Sequence, residues 1–354
     1  MQKPHGPEQI VRTPSAAQRP GAEDSRTFAY NAALQLLSES TGGASPMYSK
    51  VIERLYQSGS GGTVKGRSNG LRVSSGSPPY DYSTIYWYDG RGRLNRLSGS
   101  GTPWNYVNYL YLADSDLVEK IEYRGPPQEG GYAFVARVVR TFEPHRDLIA
   151  SVENKWDSTS VSKFEYTNDA LGRRTSVTVS GTAFTAAGTT GFDLFAYNDR
   201  NELTSARRYA GGTISNPSDP VYARHFEYAY DPIGNRETYE VSQGTATTYT
   251  TNELNQYTAT ANPSESFTYD DDGNLTQDGT YTYVWDAENR LIEAYPTNPT
   301  TGSQKCVMVY DYMNRRVKRT LYDWTGSAWS GTPAESRVFL YDGWNVLLSY
   351  NPAA

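Results

Sequence analysis

The sequence predicts an all-β protein, built as an array of antiparallel hairpins joined into one spiralling sheet. Three observations carry that expectation. The 354 residues include 30 Tyr against 10 Phe and 7 Trp, and Tyr, Thr and Val favour strands. There are 31 Gly and 19 Pro to supply turns. One short pattern, alternating aromatics followed by an acidic or Asn turn, recurs down most of the chain.

Composition sets the limits. Leu, Ile, Val and Phe together number 60 of 354 residues, few for a solid core of this length. Such a fraction with a high net charge would read as disorder, but the formal charge is only −6 and Tyr supplies the missing apolar area. A Tyr-rich sheet suits two partly wet faces, because each ring buries its body while the hydroxyl reaches a partner or water. That implies a thin wall rather than a filled ball, although a wet-faced solenoid or propeller has a similar composition. The acidic balance argues against nucleic acid as a partner. No stretch resembles a signal peptide or reaches the length of an apolar membrane span.

Taken in order, residues 1–25 are rich in Pro, Gln, Ala and charge, and are expected to be a mobile tail. The repeat array is expected to fill 26–354. RTFAYNAALQLLSE (26–39) has helix-forming Ala and Leu, but its FAYN opening matches the repeat and predicts a strand pair. QSGSGGTVKGRSNG (57–70) is a flexible connection, and its glycines lack the Lys-Ser/Thr that a phosphate cradle needs. From 85 the copies are plain: IYWYDGRGRLNRL (85–97), a weaker YLYLADSDLVEKI (109–121), VVRTFEPHRDLIASV (138–152) and FEYTNDALGRRTSVTV (164–179). LFAYNDRNELTSARRY (194–209), FEYAYDPIGNRETYEV (226–241), TYTTNELNQYTAT (248–260) and FTYDDDGNLTQDG (267–279) follow. YTYVWDAENRLIEAY (281–295), VMVYDYMNRRVKRTLYD (307–323) and VFLYDGWNVLLSY (338–350) close the set.

Aligning the turn position gives Asp89, Asp114, Glu143, Asp169, Asn198, Asp231, Asn252, Asp270, Asp286, Asp311 and Asp342, on average about 25 residues apart. An Asp or Asn there can bond its own backbone two residues on and start the turn. Gly172, Gly234 and Gly273 then tolerate positive φ. One hairpin cannot bury its aromatic face alone, but hairpins side by side can, through cross-strand Tyr pairs. The uneven spacing, with two strands per repeat, fits a continuous sheet better than propeller blades.

The copies YWYDGRGRL, YAYDPIGNR, FTYDDDGNL, YVWDAENRL and VYDYMNRRV resemble the YD repeats of the rearrangement-hotspot (Rhs) family, from about Phe28 to Tyr350. That family includes bacterial polymorphic-toxin shells, insecticidal toxin-complex subunits and the animal teneurins. The resemblance implies a β-strip wound into a partial hollow β-shell, a cocoon that in bacterial members encloses a carboxy-terminal toxin. It also implies a secreted or cell-surface setting. Bacterial members usually continue past the last repeat into a core segment with paired Asp-Pro-x-Gly elements. The chain is therefore expected to be a shell segment without self-cleavage aspartates or cargo, and the single Asp231-Pro232-Ile233-Gly234 is read as a repeat turn. Expected partners are a toxin cargo or a missing shell segment. Open strand edges also predict self-association.

Candidate chemistry is thin. His5 lies in the tail, His145 in a turn, and His225 beside a strand with no Ser elbow or Cys to complete a triad. Cys306 alone excludes an internal disulfide and reads as a half-buried strand residue. Asp270-Asp271-Asp272-Gly273 fails the calcium-loop pattern, because the first and twelfth positions fall on Thr268 and Gly279. Paired Arg at 173/174, 207/208 and 315/316 reads as turn-adjacent residues on a wet face, pairing with turn carboxylates. Asn274-Leu275-Thr276 is a chance glycosylation sequon. No catalytic residue, cofactor or metal is expected. The alternative function is adhesion or carbohydrate binding through Trp87, Trp285 and Trp344.

Overall fold

The computed structural model describes residues 9–12, 25–42, 50–59, 65–74, 82–100, 106–128, 131–242 and 244–351. Two compact units emerge: 53–246, and 1–52 together with 247–354. The described residues are almost entirely strand, with one short helix, Thr182–Ala186. Every strand pairing described is antiparallel, and nearly all join strands adjacent in sequence.

The chain opens with β1 (Gln9–Arg12), β2 (Ser25–Tyr30), β3 (Leu36–Gly42) and β4 (Val51–Tyr56). β1 pairs with β2 and β2 with β3. The residues expected to form a tail thus contain a strand at Gln9–Arg12, where Ile10 and Val11 supply β-branched residues. The rest of 1–24, including His5, lies outside the described residues, as do residues 60–64 of the Gly-rich connection expected at 57–70. The end of that connection is already strand, since β5 begins at Ser68.

Unit 53–246 carries β5 (Ser68–Ser74), β6 (Tyr82–Tyr88), β7 (Leu94–Gly99), β8 (Tyr106–Tyr111) and β9 (Val118–Gln128). It continues through β10 (Gly131–Phe142), β11 (Ile149–Trp156), β12 (Thr159–Asn168) and β13 (Arg174–Ser180). β14 (Gly191–Tyr197), β15 (Leu203–Thr213), β16 (Asn216–Tyr230) and β17 (Arg236–Val241) complete it. Each pairs with the next from β5 to β17.

The other unit resumes with β18 (Thr247–Thr251), β19 (Tyr257–Ala261) and β20 (Glu265–Ser266), paired in sequence. An eight-stranded sheet follows. Its first half is β21 (Thr268–Tyr269), β22 (Leu275–Gln277), β23 (Tyr281–Trp285) and β24 (Leu291–Pro296). Its second half is β25 (Gln304–Tyr310), β26 (Arg316–Asp323), β27 (Glu335–Asp342) and β28 (Asn345–Tyr350).

One irregularity repeats. In β6–β7, Trp87 faces Arg96 but Tyr88 faces Leu94, so Asn95 is extra. The same slip leaves Thr175, Thr204, Glu237, Thr258 and Ile292 unmatched in later hairpins. Such a bulge bends its strand and increases the local twist. It also holds the aromatics before the turn on one face, while Trp87 and Val309, one position off, point outward at 41% and 37% exposure.

The aliphatic core is sparse. Among the described residues Phe28, Ile52, Leu71, Val73, Val179, Phe192, Met308, Val317, Val338 and Leu340 are buried. Tyrosine rings fill the rest, stacked as pairs such as Tyr228–Tyr239 at 5.7 Å and Phe226–Tyr239 at 6.1 Å.

Gly191 opens β14 at φ 135°, where a Cβ would collide with the Tyr209 carbonyl oxygen across the strand pair. Gly191→Ala is expected to cost more than about 1 kcal/mol in urea unfolding. Gly331→Ala, in open space, is expected to stay within about 0.5 kcal/mol.

Candidate functional site

The feature that recurs with fixed chemistry is the row of turns. In the turn at Asp89, Oδ1 accepts the N–H groups of Arg91 and Arg93, both at 2.9 Å. The Arg93 Nε–H donates to Oδ2 at 2.8 Å. The backbone closes the turn in both directions, Asp89 N–H to the Arg93 carbonyl and Gly92 N–H to the Asp89 carbonyl. Four residues on from the first, the partner always complements it. Asp169, Asp286 and Asp311 meet Arg173, Arg290 and Arg315, while Asp231 and Asp270 meet the amide N–H groups of Asn235 and Asn274. Where the first residue is Asn, its second atom donates, and the partner accepts: Asn31 to Gln35, Asn198 to Glu202, Asn252 to Gln256. The residue before the partner needs positive φ, which Gly92, Gly172, Gly234, Gly273, Asn201, Asn255, Asn289 and Asn314 supply, and which Leu34 also adopts, at φ 59°, in the first turn.

The turns are also linked to one another. In seven repeats the Tyr before the turn donates its hydroxyl to the first strand carbonyl of the preceding repeat. In unit 53–246 these bonds run from Tyr88 to Ser68, Tyr111 to Leu94, Tyr197 to Arg174 and Tyr230 to Leu203. In the other unit they run from Tyr269 to Tyr257, Tyr310 to Leu291 and Tyr341 to Arg316, with Trp285 Nε1–H serving Leu275. The turn arginines reach the other way, forward to the next turn. Arg173 donates to the Asn198 carbonyl and Asn201 Oδ1, and Arg290 to the Asp311 carbonyl and Asn314 Oδ1. Their guanidinium groups lie over the next Tyr ring: Arg93 over Tyr111 at 4.1 Å, Arg173 over Tyr197 at 4.9 Å, Arg315 over Tyr341 at 5.2 Å.

The network pulls the turn carboxylates below their ordinary range. Hydrogen bonds from Arg93 and Arg91 dominate at Asp89, and the Arg173 guanidinium at Asp169. The Asn274 side chain leads at Asp270. At Asp231 and Asp286 desolvation works upward, but the partner side chain and backbone N–H groups outweigh it. Tyr283 moves the other way: burial and its bond to Asp278 push it up to about 12.

The structure places the aligned positions unequally. Asp89, Asp169, Asp231, Asp270, Asp286 and Asp311 each open a turn of this kind, with Gly172, Gly234 and Gly273 at φ 83°, 96° and 84°. Asp114 does not: Leu112 closes that longer turn with Leu117, and Asp114 sits at φ 54°. Asp342 faces Asn345 across a two-residue turn of Gly343 and Trp344. The expectation for paired arginines holds at Arg173 but not at 207/208, which lie mid-strand. Arg207 pairs with Glu227, and Arg208, 3% exposed, binds Asp193 and the Thr189 carbonyl. His225 stands inside β16, not beside it, with Nε2 2.7 Å from the Arg208 carbonyl oxygen. His145 occupies a turn at φ 64°. Cys306 is half-buried in β25. Among the described residues no group of His, Cys, Asp and Glu could hold a metal, and no helix is long and apolar enough to cross a membrane. A shallow groove of about 480 Å³ lies between two neighbouring turns, lined by Asp89, Arg91, Arg93, Tyr111 and Asp114. Its charged groups are already spent on each other, Arg91 on Asp114 and Arg93 on Asp89.

No protein-family profile matches the chain. It is similar to two curated proteins. One is the tRNA3(Ser)-specific nuclease WapA of Bacillus spizizenii, 27% identical over 293 residues, covering 68% of this chain and 12% of that protein. The other is the tRNA nuclease WapA of Bacillus subtilis strain 168, 36% identical over 98 residues, covering 27% of this chain and 4% of that protein. The chain thus spans about an eighth or less of either relative. Among solved structures, TcdB2-TccC3 aligns with 93% of this chain and 21% of its own, at 12% identity and a TM-score of 0.43. The all-β assignment rests on the strand pairings above, not on that likeness.

Two outcomes follow from the turn chemistry. Asn198→Asp sets a carboxylate against Glu202 and is expected to cost about 1–2 kcal/mol in urea unfolding. Adding Glu202→Arg, which recreates the Asp–Arg form, is expected to recover most of the loss. The lowered carboxylates contribute stability that is present above their unfolded pKa and lost as pH falls through the folded one. The urea midpoint is therefore expected to hold from pH 8 to 5 and to drop below about pH 4.

Proposed function

We propose that this chain is a non-catalytic wall segment of an Rhs-type YD-repeat shell, whose role in a larger system is to enclose or present a toxin. The observation that carries this reading is the linkage from repeat to repeat. Turn, tyrosine hydroxyl and guanidinium are each committed to holding the neighbouring hairpin, and none converges on a reaction centre. The mechanism is steric: a wall separates a cargo from its substrate. The WapA relatives are named as tRNA nucleases, and the matched region is a small part of each. The cargo this reading favours is therefore a nuclease carried elsewhere in such a system, at the cell surface or outside the cell. Unpaired strand edges would join this segment to a further shell segment or to a second copy.

A second reading, glycan adhesion, draws on exposed indoles. Trp344 is 67% and Trp87 41% exposed, whereas the Trp285 N–H is bound to the Leu275 carbonyl oxygen.

The test uses the purified chain with and without an unfolded reporter peptide fused after Ala354. The expected result is no cleavage of tRNA and slower proteolysis of the reporter than in a variant destabilised by Gly191→Ala. Cleavage of tRNA abolished by one substitution would overturn the non-catalytic reading, and equal reporter lifetimes would overturn containment. Glycan binding lost in Trp344→Ala would favour adhesion instead.

A further inference from the structure

One turn is unlike its sisters. The carboxylate and guanidinium pairs at Asp89/Arg93, Asp169/Arg173 and Asp286/Arg290 keep about a fifth to a quarter of their side-chain surface in solvent: 21%/20%, 23%/26% and 21%/20%. At Asp311/Arg315 the figures are 4% and 3%. The repeat motif does not require that burial, because the same hydrogen bonds form in the open turns.

The first hairpin, β2–β3, meets this turn. The Phe28 ring meets the Tyr312 ring edge-on, with centroids 6.4 Å apart and planes at 83°. Phe28 and Glu39 are cross-strand partners, so their side chains leave the hairpin on one face. Both are buried, at 8% and 5% exposure. Burial works against the charge of Arg315, yet hydrogen bonding and charge from Asp311, and then the charge of Glu39, hold its pKa above the usual guanidinium value. Lys50 Nζ, further along the chain, lies 5.8 Å from the centre of the Tyr350 ring.

The residue in the place of Glu39 is Leu97, Val177, Ala206, Tyr239, Thr260 or Ala294 in six other repeats, Asp278 after the Asp270 turn and Arg319 after the Asp311 turn. The hairpin architecture thus has no need of a carboxylate there. Burying one is costly unless it is paired, and the best-attested gain from such a pair is choice of partner rather than stability. The turns of the same unit differ in the two features that Phe28 and Glu39 meet. The turn at Asp286 has Arg290 but Ala287 where Tyr312 stands; those at Asn252 and Asp270 have neither an arginine nor an aromatic at these places.

The geometry points to a two-point strap: the hairpin 25–42 closes onto the turn 311–315, and the cross-strand pair Phe28/Glu39 selects that turn by reading Tyr312 and Arg315 together. When the strap lifts, this turn takes on the half-open state of its sisters and presents Arg315 to solvent, beside a Tyr312 ring that is already 59% exposed. The strap thereby ties the start of the array to its last sheet through side chains that the repeat itself does not use.

Amide hydrogen exchange on the full chain tests this, comparing the natural sequence with Glu39→Gln and with Tyr312→Ala. Each substitution removes one of the two points and leaves the turn's own Asp311–Arg315 bonds in place. The expected result is about tenfold faster exchange in 25–42 and in 311–317 together, with 286–291 and the turn at Asp169 unchanged. Unchanged exchange in both segments, or acceleration of the hairpin alone, overturns the strap. If Glu39→Gln fails to fold, as judged by the two control turns, Tyr312→Ala carries the same readout.

Discussion

A single side-chain oxygen accepting two backbone N–H groups is the constraint on which the remaining geometry depends. Oδ1 of the turn residue binds the N–H groups two and four residues ahead. That leaves the residue three ahead no choice but positive φ, which is why Gly or Asn stands there in every such turn but the first, where Leu34 takes φ 59°. The tight turn in turn fixes where the return strand begins, and the bulge two residues after the partner restores its parity. Parity then puts the aromatics before each turn on one face, with the hydroxyl of the nearest one at the carbonyl of the previous repeat. Side-chain identity at one position therefore propagates, through backbone geometry, to the contact that joins neighbouring hairpins.

Tyrosine suits this role where phenylalanine would not. A strand carbonyl beside a bulge has lost its ladder partner, and leaving it unsatisfied costs about 1–3 kcal/mol when buried. The tyrosine hydroxyl meets that need while its ring packs against the neighbouring hairpin. The guanidinium above the ring adds about 0.5–1 kcal/mol at such half-exposed sites. Each link is modest, and cohesion comes from repetition between nearest neighbours. That explains how a chain with so few buried aliphatic residues holds long sheets: its apolar contacts are spread thinly along the array instead of being pooled in one centre.

The strands were legible because alternating aromatics state their period directly. Residues 26–39 show the value of the motif over propensity, since FAYN correctly marks β2 while Ala and Leu favour a helix. The partner four residues after each turn was equally visible in the letters, as Asp followed by Arg or Asn and Asn followed by Glu or Gln. It is recognised only when the bond is seen to need one donor and one acceptor. The weak copy at 109–121 misled because its Asp114 looks like the turn residue, whereas the chain there is longer and closes from Leu112. Arg208 and His225 could not be placed by pattern. Their burial depends on the register break between β15 and β16, where Arg207 faces His225 and Tyr209 faces Pro220.

The same geometry shows where the array is free to vary. Of the residue two places into each turn, the turn motif itself requires only the N–H. Its side chain points outward: Leu171, Ile233 and Leu254 are 72%, 69% and 77% exposed, and Arg91 and Arg200 occupy the same place in other turns. Exposed aliphatics at a position under no structural demand are not explained by packing, since exchanging them for polar residues would cost the turn nothing. A row of such positions, spaced by the two-strand repeat at about 10 Å, lets surface chemistry change turn by turn without disturbing the links beneath. At 311–315 the chain itself covers one of these turns, which shows that the turn edge can be packed against as well as left in water.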